Sequence, residues 1–336
     1  MNKLKKIGVT ALAGALVSFS ANAADWNVSG SAGLTLSNTN ETSGISSFSQ
    51  DDNIVISASG QTENGIDVSA SFKIEAGADG AGGGFDERSF TIGTDAMGSL
   101  TYHGHGGSVV MGQFDDVTPK AYEEVWDIGT SADVRINGVG EEDNIFTYVS
   151  PSFAGVTLYA AHATEASVDN TAADVGNDSS KTVSNYTDFG VKISPEMVEG
   201  LSIYYASGER DLSATQSVDE NTIAITYAYG PVTVGYQESE ADKSGVATDN
   251  ELESMSIAYA VTDDLTISYG EREFDHDTSA STGDEKLTQK DSGFGISYTM
   301  GGVSIGGSFN THDNVTGGNT TADDFDSYEM NLSFAF

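Results

Sequence analysis

The chain has 336 residues, with 14 lysines and arginines against 51 aspartates and glutamates, and a formal net charge of −37. A surface that binds nucleic acid needs clustered basic residues, so this balance argues against a nucleic-acid partner. Cysteine is absent, which excludes a disulfide framework and thiol chemistry. Four prolines and 39 glycines indicate a chain built of strands and turns rather than helices.

The start of the chain has the pattern of a secretory signal peptide. Three lysines precede an apolar stretch, "IGVTALAGALVSF", and a small-residue cleavage site follows, ending at Ala23. The apolar stretch is too short to cross a bilayer. We therefore expect residues 1–23 to be removed. Loss of the three lysines leaves residues 24–336 as one exported domain with a net charge of −37 − 3 = −40.

Apolar and polar residues alternate along the rest of the chain, a period typical of β-strands. In "GIDVSASFKI", residues 65–74, every second side chain from Ile66 onward is apolar, and the opposite face is small or polar. The solvent face of a soluble β-sandwich carries long charged residues, whereas this face carries mostly Ser, Thr, Gly, Ala and Asn. Apolar residues toward lipid and small residues toward a hydrated interior predict an all-β fold, a transmembrane antiparallel β-barrel. An exported acidic β-sandwich, which would be an adhesin or another ligand-binding surface protein, is the alternative.

Sixteen alternating segments can be counted, and an even number is typical of a closed barrel whose last strand pairs with its first. The predicted strands are 26–38, 51–60, 65–76, 86–95, 107–114, 143–151, 154–165, 185–194, 199–209, 219–229, 231–240, 250–261, 264–273, 289–299, 302–311 and 326–336. The segment "SLTYHG", residues 99–104, is an extra that either continues the preceding strand or marks a miscounted pair. Tight connections alternate with long acidic ones, so we expect short periplasmic turns and long external loops.

Parts of the chain resemble the general porins of Gram-negative outer membranes, particularly the sixteen-stranded proteobacterial type. "GSVVMGQFDD" resembles a glycine–hydrophobic–Gly-Arg pattern of that family, with Gln113 where an arginine is usual. "DNIFTYVSPSFAGVTLYAAH" begins at Asp143 and matches best, and the terminal Phe336 matches the aromatic ending of the family. The resemblance implies an outer-membrane homotrimer in contact with lipid and lipopolysaccharide. It also implies a water-filled channel for small hydrophilic solutes and ions.

The resemblance further implies that the loop after the fifth strand, residues 115–143, folds into the barrel and narrows the pore. The acids that would line one side of this constriction are Asp115, Asp116, Glu123, Glu124, Asp127, Asp133, Glu141, Glu142 and Asp143. Without the resemblance, each of these acids taken by itself is interpretable as solvated loop surface.

Basic residues on the barrel wall would face those acids. Strand phase predicts a lumenal position for Lys73, Lys192 and Arg272, and Arg210 lies at a predicted strand end. Arg88 has the phase of its apolar neighbours, so it is lumenal only if its strand bulges. This is a small basic set for the family. Because fixed charges near the narrowest section set selectivity, the acidic excess predicts weak cation preference with passive diffusion.

Acid-rich loops also bind Ca²⁺ through carboxylates and carbonyls. The candidate ligands of such a structural calcium ion are Asp115, Asp116, Glu141, Glu142 and Asp143, with Asp323, Asp324 and Asp326 as a second group. No other cofactor is expected.

No nucleophile–base arrangement stands out, so we expect no enzyme. A substrate-specific channel is an alternative that aromatic tracks in the lumen would favour, and Tyr204 is an exception to a lumenal phase that is mostly Ser, Thr and Gly.

Overall fold

The structure, a computed structural model, describes residues 24–38, 47–75, 85–126, 136, 138, 144–164, 185–213, 216–244, 249–276, 287–315 and 324–336. The predicted signal peptide lies outside the described residues. Within them, no helix combines the length and the apolar character that crossing a membrane requires.

Sixteen β-strands of the described chain close into one barrel, in which each strand pairs antiparallel with the next. The strands are β1 (Asp25–Asn38), β2 (Ser47–Gln61), β3 (Asp67–Glu75), β4 (Glu87–Thr94), β5 (Gly98–His105), β6 (Ile145–Val149), β7 (Val156–Thr164), β8 (Asn185–Ile193), β9 (Leu201–Ser213), β10 (Gln216–Tyr229), β11 (Val232–Lys243), β12 (Asp249–Ala260), β13 (Leu265–His276), β14 (Leu287–Met300), β15 (Val303–Asp313) and β16 (Phe325–Ala335). One short helix, α1 (Val110–Gln113), lies between β5 and β6. The predicted barrel is confirmed, which excludes the β-sandwich.

The barrel closes where the last strand meets the first. Ser31 of β1 pairs with Ala335 of β16, and the pairing continues up to Asn38 opposite Tyr328. Beyond β16, the Gly30 amide donates to the Phe336 carbonyl at 2.9 Å, and the Phe336 amide donates back at 3.0 Å. Closure gives every described strand a neighbour on both sides, so the described sheet has no free edge of the kind that a lipid environment would not tolerate.

The outer face of the barrel is apolar. In β16, the side chains of Met330, Leu332 and Phe334 are 47%, 48% and 49% exposed on the protein itself. Their neighbours Asn331 and Ser333 point to the other face, toward the lumen. Exposed apolar residues at every second position are typical of a barrel whose outer face is covered by lipid.

The predicted fifth strand, residues 107–114, is wrong. β5 instead contains the extra segment at 99–104, so the count of sixteen is retained. Val109, Val110 and Met111 are apolar because they are buried inside the barrel, where they join its hydrophobic cluster. Alternation does not distinguish a side chain that meets lipid from one that meets an inserted loop, since both environments favour apolar residues.

Connections are short at one end of the barrel. The turns after β10 and β14 contain two residues each, 230–231 and 301–302. Most connections at the other end are long. The connection between β9 and β10 is an exception. β9 ends at Ser213 and β10 begins at Gln216, whereas the predicted strands leave a loop over 210–218. Both strands therefore extend further than expected, and Arg210 lies within β9 rather than at its end.

Candidate functional site

A stretch of chain after β5 turns into the barrel. We call residues 106–126 the inner segment. It begins at Gly106, whose φ of 67° is the left-handed conformation that glycine adopts without strain. Val110, Met111 and Phe114 pack in a buried apolar cluster with the lumenal side of β6 to β13. The apolar start of the segment thus anchors it inside the barrel through the hydrophobic effect.

Polar side chains of the wall hold the backbone of the inner segment. The Met111 amide donates to Asp188 Oδ2 of β8 at 2.7 Å. On β11, Gln237 Nε2 donates to the Phe114 carbonyl at 2.6 Å, and its Oε1 accepts from the Val117 amide at 3.3 Å. Asp188 and Gln237 are fully buried. These bonds satisfy backbone groups that would otherwise be unpaired in the barrel interior.

Further along, the segment crosses the wall to the last strand. Ser256 of β12 donates to the Pro119 carbonyl at 2.6 Å, and Ser268 of β13 accepts from the Ala121 amide at 2.9 Å. The Tyr122 hydroxyl then donates to Glu329 Oε1 of β16 at 2.5 Å. The described segment therefore lies against the wall formed by β8 to β16. The sequence carried no signal for these wall partners, since small polar residues occur along every lumenal face.

Among the described residues, the opposite side of the lumen is less covered. Lumenal side chains of β8 to β15, such as Asp188, Thr222 and Asn310, are buried. Those of β1 to β3, such as Ser31 and Ser71, are only half-buried. A cavity of about 1020 Å³ lies along β1 to β6 at the end with the short turns. The lining of this cavity includes hydroxyl groups and three carboxylates, from Asp25, Asp67 and Asp95.

Three of the predicted basic residues lie on the lumenal wall in ion pairs. Lys73 Nζ lies 2.7 Å from Glu75, 3.3 Å from Asp86 and 2.7 Å from Glu87, all measured to carboxylate oxygens. Arg210 Nη2 lies 3.1 Å from Glu220 Oε1, and Arg272 Nη2 lies 2.6 Å from Asp291 Oδ2. Each guanidinium is buried with its carboxylate. The positive charge of all three is therefore neutralised locally.

Two of the predicted basic residues, Arg272 and Lys192, also contact aromatic rings. Trp126, at the end of the inner segment, lies with its ring 5.0 Å from the Arg272 guanidinium. Lys192 lies 5.2 Å from the centre of the Tyr204 ring, a cation–π distance. The Tyr204 ring also packs edge-on against Phe114 at 5.3 Å between ring centres. Tyr204 is thus occupied by the inner segment, not arranged as part of an aromatic track along the open lumen.

Arg88 is placed differently from the prediction. It lies opposite Phe72 of β3 and, like Phe90, on the exposed outer face of β4. A β-bulge does occur between Arg88 and Ser89, but the extra residue, Gly104, belongs to β5. β4 therefore keeps its phase, and the expected lumenal position of Arg88 is wrong.

The acids of the inner segment are partly paired. Asp116 and Glu124 both form ion pairs with Lys120, and Glu124 is buried. Asp115 and Glu123 are half-buried. Over residues 115–126 the four acids and one lysine give −4 + 1 = −3. The remaining predicted acids of the constriction lie outside the described residues, namely Asp127, Asp133, Glu141, Glu142 and Asp143.

Calcium binding stays a prediction. Within the described ranges, no three histidine, aspartate or glutamate side chains are grouped to hold a metal ion. Asp115 and Asp116 are described, but the other members of that candidate set are not. In the second set, Asp324 accepts from the Asn314 amide at 2.9 Å and Asp326 accepts from Thr311 at 2.9 Å.

Comparison with known proteins agrees with this architecture. The profile of the Gram-negative porin family matches residues 8–288. The trimer form of OmpT from Vibrio cholerae is 11% identical with a TM-score of 0.67, and 93% of this chain and 99% of that one are covered. An anion-selective porin from Comamonas acidovorans is 11% identical with a TM-score of 0.64, covering 93% and 100%. A mutant porin from Rh. blastica is 16% identical with a TM-score of 0.62, covering 93% and 100%. A comparison with curated protein sequences gave no match.

The low identities mean that the solved structures establish the fold, whereas the family profile, which spans most of the chain, establishes descent. Family and fold together point to a channel rather than an enzyme. The closed barrel with an apolar outer face and a partly open, hydroxyl-lined lumen is what such a channel requires. The chain therefore belongs to the Gram-negative porin family and forms an outer-membrane channel.

Proposed function

We propose that this channel passes ions and small hydrophilic solutes by passive diffusion and prefers cations weakly. The observation that carries the proposal is the neutralisation of three lumenal bases. Lys73 faces three carboxylates, and Arg210 and Arg272 face one each. The open side of the lumen is thus left with an excess of negative charge, which raises the local concentration of cations.

Charge, and not fold, has to decide the selectivity. The Comamonas acidovorans porin is described as anion-selective and shares the fold. A wall whose bases lacked acidic partners would attract anions by the same physics. In this chain the described part of the inner segment adds −3 to the acids around Lys73. At physiological salt the screening length is about 8 Å, so charges at a narrow passage act on every ion that crosses it.

The reversal potential across a planar bilayer under a KCl gradient tests the selectivity. Wild type is expected to favour K⁺, and the double variant Glu75→Gln/Glu87→Gln is expected to lose part of that preference. The matched control is Glu196→Gln/Glu199→Gln, which changes the net charge equally in an exposed turn. Anion selectivity of the wild type, or equal shifts in both double variants, contradicts the proposal.

A homotrimer in contact with lipid and lipopolysaccharide is the proposed assembly. The Vibrio cholerae OmpT structure that resembles this chain is a trimer form, and this supports the proposal. The proposed mature chain starts at Ala24, after removal of the signal peptide. SDS-resistant oligomers that convert to monomers on heating would support the trimer, and the intact mass of the outer-membrane form would test the cleavage site.

A further inference from the structure

The wall beneath the inner segment contains several lumenal glycines, of which four carry the argument. They are Gly190 of β8, Gly235 of β11, Gly295 of β14 and Gly306 of β15. A Cβ added at Gly190 would lie 2.5 Å from Val110 Cγ1, and one at Gly235 would lie 2.4 Å from Pro119 Cδ. Such distances are shorter than any ordinary carbon–carbon contact. The inner segment therefore lies closer to the wall than side chains on these strands would permit.

Tyr122 makes the tightest of these contacts. A Cβ at Gly306 would lie 2.1 Å, 2.6 Å and 2.9 Å from Cδ2, Cε2 and Cγ of the Tyr122 ring. These three atoms are adjacent in the ring, so this part of the Tyr122 ring lies directly against Gly306. Next to it, a Cβ at Gly295 would be 3.6 Å from the Tyr122 amide nitrogen. The Tyr122 hydroxyl is held by Glu329 on the neighbouring strand at 2.5 Å. Ring and hydroxyl are thus both fixed to the wall.

The strand beneath Tyr122 has little freedom to retreat. Gly306 is paired with Ser297 of β14 on one side and with Asn331 of β16 on the other. Non-bonded carbon atoms lie about 3.5–4.0 Å apart, so a methyl group at this position requires a displacement of roughly 1.5 Å. Since β15 is held in the barrel ladder, the displacement falls on the inner segment, which moves toward the open lumen.

We propose that Gly306 is a positioning residue that sets the free cross-section of the pore, because it lets the Tyr122 ring lie against the wall. The inference rests on the proposed diffusion through the side of the lumen that the inner segment leaves open. A solute that passes there meets the inner segment on one side and the hydroxyl-lined faces of β1 to β3 on the other. The distance of Tyr122 from β15 then determines how wide that passage is.

The test compares single-channel conductance of Gly306→Ala with that of Gly33→Ala. Gly33 also faces the lumen, on β1, but its nearest contacts to an added Cβ are 3.4 Å and 3.5 Å, so it reports the effect of a methyl group alone. Gly306→Ala is expected to lower conductance by roughly 10–30%, because pore diameter controls permeation. It should also slow the entry of larger sugars in liposome swelling, whereas Gly33→Ala stays near wild type.

Removal of the ring separates the steric cause from others. Conductance of Gly306→Ala/Tyr122→Ala is expected to equal that of Tyr122→Ala, since no ring remains to be displaced. If Gly306→Ala gives no heat-modifiable barrel but the double variant does, the clash with Tyr122 is supported. Failure of both to fold, or a conductance of Gly306→Ala equal to that of Gly33→Ala, overturns the inference. A wild type that conducts no ions overturns the proposed diffusion instead.

Discussion

The ladder between β13 and β14 carries two ion pairs side by side. Arg272 lies opposite Asp291 on the lumenal face, and Glu273 lies opposite Lys290 on the outer face. Both pairs have a shortest nitrogen–oxygen distance of 2.6 Å. They differ in burial, because the lumenal pair is 0% exposed on both side chains while the outer pair is 56% and 53% exposed. We predict that Asp291→Asn destabilises the barrel far more than Lys290→Gln does.

The magnitude follows from the partners of Asp291. Its carboxylate accepts from Arg272 Nε at 2.7 Å and from Gln289 Nε2 at 3.1 Å, and it lies 2.7 Å from His312 Nδ1. Removal of its charge breaks an ion pair that is buried together with the Arg272 guanidinium, which costs about 3–5 kcal/mol. An exposed pair contributes only about 0–1 kcal/mol, since water solvates the charge that remains.

Urea unfolding of the refolded barrel in lipid vesicles measures both free energies. Tryptophan fluorescence is a suitable signal, because Trp126 contacts Arg272. A further variant, Arg272→Met/Asp291→Leu, removes both buried charges and is expected to recover part of the lost stability, since Gln289 and His312 still lose an acceptor. The reasoning is refuted if Asp291→Asn and Lys290→Gln lower the free energy of unfolding equally, or if the double variant is less stable than Asp291→Asn.

Two further predictions use the same unfolding assay. Gln237→Leu removes the partner of the Phe114 carbonyl and of the Val117 amide, so it is expected to lower the free energy of unfolding by about 2–4 kcal/mol; an unchanged value contradicts this role. Glu253→Gln, on the outer face, relieves repulsion from the glutamates directly opposite on both neighbouring strands. It should stabilise by roughly 0.5 kcal/mol at low salt. This gain should vanish near about 1 M salt, where charges are screened.

Residue alternation was sufficient to predict the barrel. The predicted number of sixteen strands is confirmed, although one predicted strand, residues 107–114, is wrong and β5 takes its place in the count. The period of two depends on neighbours along the chain, so it can be read from sequence at any strand, as in the exposed series Met330, Leu332 and Phe334 of β16. The same phase correctly separated an apolar outer face from a small polar lumenal face. It also indicated that Lys73 and Arg272 share a face with small residues, which is where they lie in the structure.

Alternation was misleading where a short piece of chain departed from the regular strand. Apolar residues of the inner segment, such as Val110, were assigned to a strand because burial against the lumenal wall selects the same residue types as lipid does. A lumenal position of Arg88 required a bulge in β4, but the extra residue of the bulge, Gly104, belongs to β5. One extra residue changes the phase only in the strand that contains it, and the sequence does not reveal which of two paired strands that is.

The sequence by itself determined that this chain forms a membrane barrel with an acidic excess, because strand phase and net charge are local or additive properties. Only the tertiary structure decided which lumenal faces the inner segment covers and which acid neutralises each base. Those contacts join residues far apart in the chain, such as Tyr122 and Glu329, which are separated by 207 positions. Small residues line the whole lumen. The close contact between Gly306 and the Tyr122 ring could therefore be recognised only in the closed barrel.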